Sequence, residues 1–136
     1  MVNTFLPYKS FRKSAQVLDN KRIFKQIVEC KQILNILTNK TKKKGYRNHP
    51  IVAMWKGHEK ALKLYQTEML KEWAKRRWDL KLDFKDNSIK NPKMPKWIGN
   101  RKFHKSHKSN LLRKDKKHYS KYFKNTPDNL PYKWFR

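Results

Sequence analysis

The stretch AQVLDNKRIFKQIVECKQILNIL, residues 15–37, decides the fold of this chain. Its apolar residues recur at a 4-3-4-3 spacing, at Ile23, Ile27, Cys30, Leu34 and Leu37. That spacing is typical of a helix with one face in a core. Ser14, directly before it, is a residue type that often caps a helix N-terminus. We therefore predict an amphipathic helix over residues 15–37.

The polar side of this helix carries one acid among bases. At about 100° per residue, Arg22, Lys25, Gln26 and Glu29 form a stripe opposite much of the apolar face. A surface that faces DNA phosphates normally excludes a carboxylate, because the two repel each other. We interpret Glu29 as catalytic and its neighbours as a DNA-binding surround. The alternative is an intrahelical pair with Lys25, which contributes only a few tenths of a kcal/mol, about 0.2–0.5.

The rest of the chain also predicts helices. A second helix begins at Pro50 and runs to about residue 78, with an apolar row that includes Trp55, His58 and Trp73. A third lies around residues 106–123, and strand alternation is nowhere convincing. The fold class is therefore all-α: a compact single domain over residues 1–136, with three main helices, irregular basic connections and an extended C-terminal tail.

Charge indicates the partner. The chain has 36 Lys and Arg against 10 Asp and Glu, a net charge of +26, and aromatics at 13% argue against disorder. Such an excess of positive charge favours a polyanionic partner, and double-stranded DNA is preferred over an anionic membrane. A single cysteine excludes an intramolecular disulfide and a cysteine-rich zinc site. Without a long apolar run, we expect the protein inside the cell or packaged with a genome.

Residues 101–118 form a basic, hydrogen-bonding block that includes His104, His107, Arg113 and Lys114. The spacing of the two histidines is compatible with a metal, but phosphate contact is favoured because all four side chains donate hydrogen bonds. A solvated helix face is the plain alternative. His49 either starts the second helix or contacts DNA.

Several motifs together resemble a known family. They are TFLPY (4–8), L-D-x-x-R-x-x-K-Q-x-x-E (18–29) and N-H-P-x-x-x-M-W-x-G-H-E-x-A-L (48–62), followed by P-x-W-I-G (95–99) and F-H-x-S-H-x-S-x-L-L-R-K-D (103–115). This order resembles the bacterial and viral pyrimidine-dimer DNA glycosylases of the phage endonuclease V type. The link to the phage enzyme itself rests on the basic helix with one Glu and on a second helix ending E-W-x-x-R (72–76).

The resemblance implies a compact helical glycosylase with AP-lyase activity that needs no metal or cofactor. In that family an N-terminal α-amine attacks C1′ and a helical glutamate, matched here by Glu29, assists. The phage-type nucleophile is a terminal threonine, whereas this chain begins Met1-Val2-Asn3-Thr4. The amine of Met1 or of Val2, or a lysine such as Lys21 or Lys25, remains open as the nucleophile. Cationic neighbours are expected to keep Glu29 ionised.

The leading hypothesis is a monomeric base-excision glycosylase and AP lyase acting on damaged duplex DNA. Its predicted catalytic residues are Glu29 with Met1 or Val2. Its predicted DNA-binding residues are Lys21, Arg22, Lys25, Gln26, His49, His104, His107, Arg113 and Lys114. A non-catalytic DNA-condensing or virion-packaged protein is the alternative, and an RNA-binding accessory protein is a third. Glu29 distinguishes the enzyme from the DNA-condensing protein, because a condensing protein gains nothing from an acid on its binding face.

Overall fold

The computed structural model describes residues 3–38, 49–78 and 92–135, and within these ranges it contains helices and no strand. The predicted all-α class is confirmed. The predicted connections fall mostly on residues 39–48 and 79–91, which lie outside the described residues. The helices are α1 (Phe11–Val17), α2 (Asn20–Leu37), α3 (Pro50–Trp55), α4 (Glu59–Trp78), α5 (Arg101–Lys114) and α6 (Lys116–Tyr119). Each of the three predicted helices corresponds to two observed ones.

The first predicted helix is divided at Leu18 and Asp19, which are both extended, with ψ of 141° and 160°. The predicted cap, Ser14, is wrong. Ser10 caps α1 by accepting from the amide of Lys13, and Asp19 precedes α2. The hydroxyl of Ser14 is buried and exchanges hydrogen bonds with the backbone of Tyr8 at 3.1 and 3.2 Å.

Arg76 of α4 stabilises this break. Its guanidinium donates to the carbonyl oxygens of Ala15, Gln16 and Leu18, and its Nε donates to Glu72 Oε1 at 2.8 Å. The last carbonyls of a helix have no partner within that helix, and here a side chain about 60 positions away supplies one. The apolar spacing of residues 15–37 does not indicate this contact, because Arg76 belongs to another helix. The prediction of one uninterrupted helix was therefore wrong.

The second predicted helix begins at Pro50 as expected but is interrupted by residues 56–58. Gly57 has φ of +82°, a left-handed conformation that favours glycine. His58 therefore leaves the apolar row, and its Nδ1 lies 2.9 Å from the carbonyl oxygen of Lys93. The third predicted helix begins earlier than expected, at Arg101, where Asn100 accepts from the amide of Phe103.

The helices enclose a single hydrophobic cluster in which α1 and α2 pack mainly against α4. Trp55 and Cys30 have no exposed surface, which confirms both as core residues. Trp73 is only partly buried and packs on Phe24, with ring centroids 5.4 Å apart. In the part of the chain that the structure describes, no helix has both the length and the apolar character that a membrane span requires.

The C-terminal segment, residues 126–135, is not helical and runs along α5. The amide of Leu130 donates to Ser109 Oγ at 2.9 Å, and that of Lys133 donates to Ser106 Oγ at 3.2 Å. These two serines lie three positions apart on α5, so they present hydroxyls along one side of it. The tail thereby brings Tyr132 beside the N-terminal part of the chain.

Candidate active site

The N-terminal arm, residues 3–9, covers the polar stripe of α2. The amide of Asn3 donates to Glu29 Oε2 at 3.1 Å, and the amide of Phe5 donates to Gln26 Oε1 at 2.8 Å. Tyr65 of α4 completes this contact, since its hydroxyl lies 2.8 Å from Gln26 Oε1 and 2.7 Å from the Phe5 carbonyl oxygen. As a result Glu29 is 5% exposed and Gln26 is fully buried.

Two histidines of α5 bind the arm at Leu6. The amide of Leu6 donates to His107 Nδ1 at 2.9 Å, and its carbonyl oxygen lies 2.8 Å from His104 Nδ1. The amide of Gly99 donates to His104 Nε2, so Nδ1 of that ring is the protonated nitrogen that donates to Leu6. Burial lowers the pKa of His104, and it lowers the pKa of His107 to about 3. Both rings are therefore neutral at pH 7.

These contacts change the interpretation of both histidines. His107 has no exposed surface, and both ring nitrogens of His104 are engaged by the backbone. Their polar atoms hold the arm, and their DNA-binding role stays a prediction. Among the described residues, no three His, Cys, Asp or Glu side chains come together as metal ligands would.

The Glu29 carboxylate experiences opposing influences. Burial raises its pKa, while the hydrogen bond from the Asn3 amide and the charge of Lys25, whose Nζ lies 3.9 Å from Oε1, lower it. Burial prevails, so the pKa of Glu29 is raised above its ordinary value. The arm removes water from the carboxylate, so its effect on the pKa outweighs that of the cations that were expected to keep Glu29 ionised. A carboxylate whose pKa lies closer to neutrality is better suited to exchanging protons at pH 7.

Beside this carboxylate lies a pocket of about 230 Å³, hereafter the Lys114 pocket. It is lined by Phe5, Lys21, Arg22, Lys25, Lys114 and Tyr132. Four of the nine predicted DNA-binding residues therefore meet around one cavity. Burial lowers the pKa of Lys114, and the neighbouring charges of Arg22 and Lys25 lower it further. An anion entering the pocket would offset this repulsion between cations.

Comparison with known families identifies the family of this chain. The family model described as pyrimidine dimer DNA glycosylase matches residues 2–86. The chain belongs to the pyrimidine dimer DNA glycosylase family. Membership supports a DNA-repair glycosylase whose substrate is DNA. A search of curated proteins gives no match, and neither does a search of solved structures.

The match to the pyrimidine dimer DNA glycosylase family covers the arm and α1 to α4, including Glu29. The part of the site contributed by α5 and the tail lies beyond it. There Arg113 donates to the carbonyl oxygens of Asp128 and Leu130 at 2.7 and 2.8 Å, so it holds the tail. His49 caps the N-terminus of α3: its Nδ1 accepts from the amide of Ile51 at 3.1 Å, and its ring packs edge-on against Trp134.

Three predicted site residues need separate mention. Gln26 is fully buried and its amide oxygen holds the arm to α2, while its contact with DNA stays a prediction. Met1 and Val2 lie outside the described residues. Two residues of the candidate site were missed altogether, Asn3 and Tyr132. The sequence offered a signal for Tyr132, an aromatic residue in a proline-bounded basic tail, and none for Asn3, whose backbone makes the contact.

Proposed function

We propose that this protein is a base-excision glycosylase with AP-lyase activity on damaged duplex DNA, with pyrimidine dimers or related lesions as substrates. The observation that carries the proposal is the hydrogen bond from the Asn3 amide to Glu29 Oε2. It ties the beginning of the chain to a buried carboxylate. The Lys114 pocket, lined by four cations, lies next to the same arm.

Covalent geometry supports an α-amine as the nucleophile. A chain extends at most about 3.6 Å per residue, so an α-amine on Met1 would have to lie within about 7 Å of the Asn3 nitrogen. If Met1 is removed, an amine on Val2 would have to lie within about 4 Å of it. An α-amine has a pKa of about 8, so a useful fraction is neutral and nucleophilic at pH 7. A lysine with an ordinary pKa has almost none.

The chemistry follows from this pair of groups. The amine lone pair forms a bond to C1′ while the C1′–base bond breaks, and the base leaves with the bonding electrons and takes up a proton. The nitrogen lone pair then forms the iminium at C1′ as the C1′–O4′ bond breaks, and O4′ takes up a proton from solvent to become the 4′-hydroxyl. Glu29 as a carboxylate stabilises the positive charge that develops at C1′. It next accepts a proton from C2′, and the C3′–O bond breaks with its phosphate as leaving group.

The surrounding side chains bind the substrate. Lys21, Arg22, Lys25 and Lys114 contact phosphates beside the lesion, and Tyr132 and Phe5 supply aromatic surface at the same pocket. The damaged nucleotide must leave the stack to bring C1′ to the amine, and a weakly paired lesion costs less to extrude. We propose that residues 1–136 act as one DNA-binding domain and as a monomer. Family membership also supports action inside a cell.

Borohydride trapping tests this proposal. Duplexes with an abasic site or a thymine dimer are incubated with protein and reductant, and peptide mass spectrometry locates the adduct. We expect a covalent adduct on the N-terminal peptide, and none when a short extension precedes Met1. The variant Lys21→Arg/Lys25→Arg keeps both charges and should form as much covalent adduct as wild type. Duplex binding with neither adduct nor cleavage would replace the proposal with a non-catalytic DNA-binding or condensing function.

A further inference from the structure

A second basic pocket lies further along the arm than the Lys114 pocket, at residues 7–9 rather than at Phe5. It has a volume of about 420 Å³ and is hereafter the Lys108 pocket. The arm contributes Pro7, Tyr8 and Lys9 to its wall, and α5 contributes Arg101, His104, Lys105 and Lys108. Gly99 lies at its edge, where the aliphatic stem of Lys9 passes 3.7 Å from the position of a β-carbon. The pocket is therefore formed between two segments rather than by one exposed helix face.

The cations around it lack acidic partners. Lys13 Nζ lies 4.3 Å from the centre of the Tyr8 ring, and Lys108 Nζ lies 4.8 Å from the same centre. Among the described residues that line the pocket, none carries a carboxylate, and no ion pair joins these lysines to one. In the Lys114 pocket, by contrast, Arg22 pairs with Asp19 and Lys25 with Glu29.

Crowding these cations costs free energy that an anion would offset. Burial lowers the pKa of Lys108, and the charge of Lys13 lowers it further. Lys108 is thus partly removed from water beside another ammonium group. Aromatic faces attract a cation at this distance but do not neutralise it. A phosphate is the anion whose charge and hydrogen-bond acceptors suit several Lys and Arg donors at once.

We propose that the Lys108 pocket binds backbone phosphates of the same duplex, three to six nucleotides from the lesion. The distance follows from α5, which reaches from one pocket to the other. Lys108 and Arg101 precede Lys114 by 6 and 13 residues, or about 9 and 20 Å along the helix axis. One strand of B-DNA advances about 3.4 Å per nucleotide. Lys114 and Lys108 are also about 120° apart around the axis of α5, so the two pockets face different sides of this helix.

This second site rests on the proposed function, since it assumes that duplex DNA occupies the Lys114 pocket. It adds a role for the arm. A phosphate in the Lys108 pocket would contact Lys9 on the arm and Lys105 on α5 together. DNA that binds there would hold the same segment whose first described residue contacts Glu29.

The test compares Arg101→Gln/Lys105→Gln with Lys60→Gln/Lys63→Gln, a control pair on exposed positions of α4. Both variants lose two charges, and the side chains of Arg101 and Lys105 are exposed. We expect the log–log salt slope of duplex binding to become shallower by about 2 in the first variant and to stay within about 0.5 of wild type in the control. Lys108→Gln should make it shallower by about 1.

Neutral methylphosphonates placed singly along both flanks of the lesion locate the contact. We expect wild type to lose affinity at positions three to six nucleotides from the lesion, and Arg101→Gln/Lys105→Gln to lose none there. The second site would be overturned if the double variant had the same salt slope as the control. It would also be overturned if every methylphosphonate position reduced the affinity of wild type equally. Wild-type protein without duplex binding would instead contradict the proposed function as a whole.

Discussion

The amide of Asn3 donates to Glu29 Oε2 at 3.1 Å, across 26 positions of sequence. The same oxygen lies 3.5 Å from Gln26 Nε2, and the other lies 3.9 Å from Lys25 Nζ. Because the donor at residue 3 is a backbone group, this contact depends on where the arm lies and not on which side chain residue 3 carries. The arm is in turn held by Gln26 on α2 and by two histidines on α5.

Gln26→Met tests this anchoring. It keeps the volume of the side chain but removes the acceptor of the Phe5 amide, which would remain buried without a partner. We expect the free energy of unfolding to fall by about 1–3 kcal/mol, measured by denaturant titration, and cleavage of damaged duplex to fall with it. Gln16→Met, at an exposed position of α1, is the control and should change neither. If Gln26→Met lost stability but cleaved DNA as wild type does, the anchoring of the arm would not be required for catalysis.

The sequence predicts the helical class, the core face of α2 and the cations that meet in the Lys114 pocket. The first two depend on spacing within a helix, whereas the cations were chosen for their charge and come from both α2 and α5. It does not predict that Gln26 is buried, because the arm that covers it comes from another segment. It also misses the break at Leu18, which depends on Arg76. The spacing of polar residues predicts which face of a helix is polar, but it does not predict which segment packs against that face.

His107 should make stability depend on pH. Its pKa is about 3 in the folded protein against an ordinary value of 6.5. Between these values the unfolded chain binds the proton and the folded one does not. The free energy of unfolding therefore falls as pH falls below about 6.5, by at most about 1.4 kcal/mol per pH unit for this group. Above pH 6.5 the group contributes no pH dependence.

His107→Asn isolates this contribution. An asparagine oxygen can accept from the Leu6 amide in place of His107 Nδ1, but it does not titrate. We expect the variant to be less stable at pH 8, because a ring is lost from the core, and to show a flatter dependence between pH 6.5 and 4. His104, whose pKa burial also lowers, retains part of the dependence. If the free energy of unfolding depended on pH in the same way in wild type and variant, His107 would not be the source of this dependence.

Binding to undamaged duplex should fall steeply with salt. If about 6–8 phosphates are neutralised, the slope of log K against log salt is about −5 to −7. Lys114→Gln removes one cation from the Lys114 pocket and should make this slope shallower by about 1. Fluorescence anisotropy at several salt concentrations measures it, with Lys63→Gln on α4 as the control. A wild-type slope shallower than about −2 would eliminate a broad phosphate footprint.

Glu29→Gln gives the sharpest separation of catalysis from structure. Gln keeps the volume and an oxygen that can accept from the Asn3 amide, while the negative charge and the titratable proton are lost. We expect strand cleavage to fall by at least about 100-fold, with DNA binding unchanged or tighter because a charge that repels phosphate is gone. The control is Glu68→Gln on α4, which also pairs with a lysine in its own helix, Lys71, at 3.7 Å. A carboxylate that served only its helical pair would contribute well under about 1 kcal/mol. Cleavage by Glu29→Gln within about threefold of wild type would therefore show that Glu29 is a structural residue. Tighter DNA binding without strand cleavage would instead place both the reaction and the DNA at this face of α2.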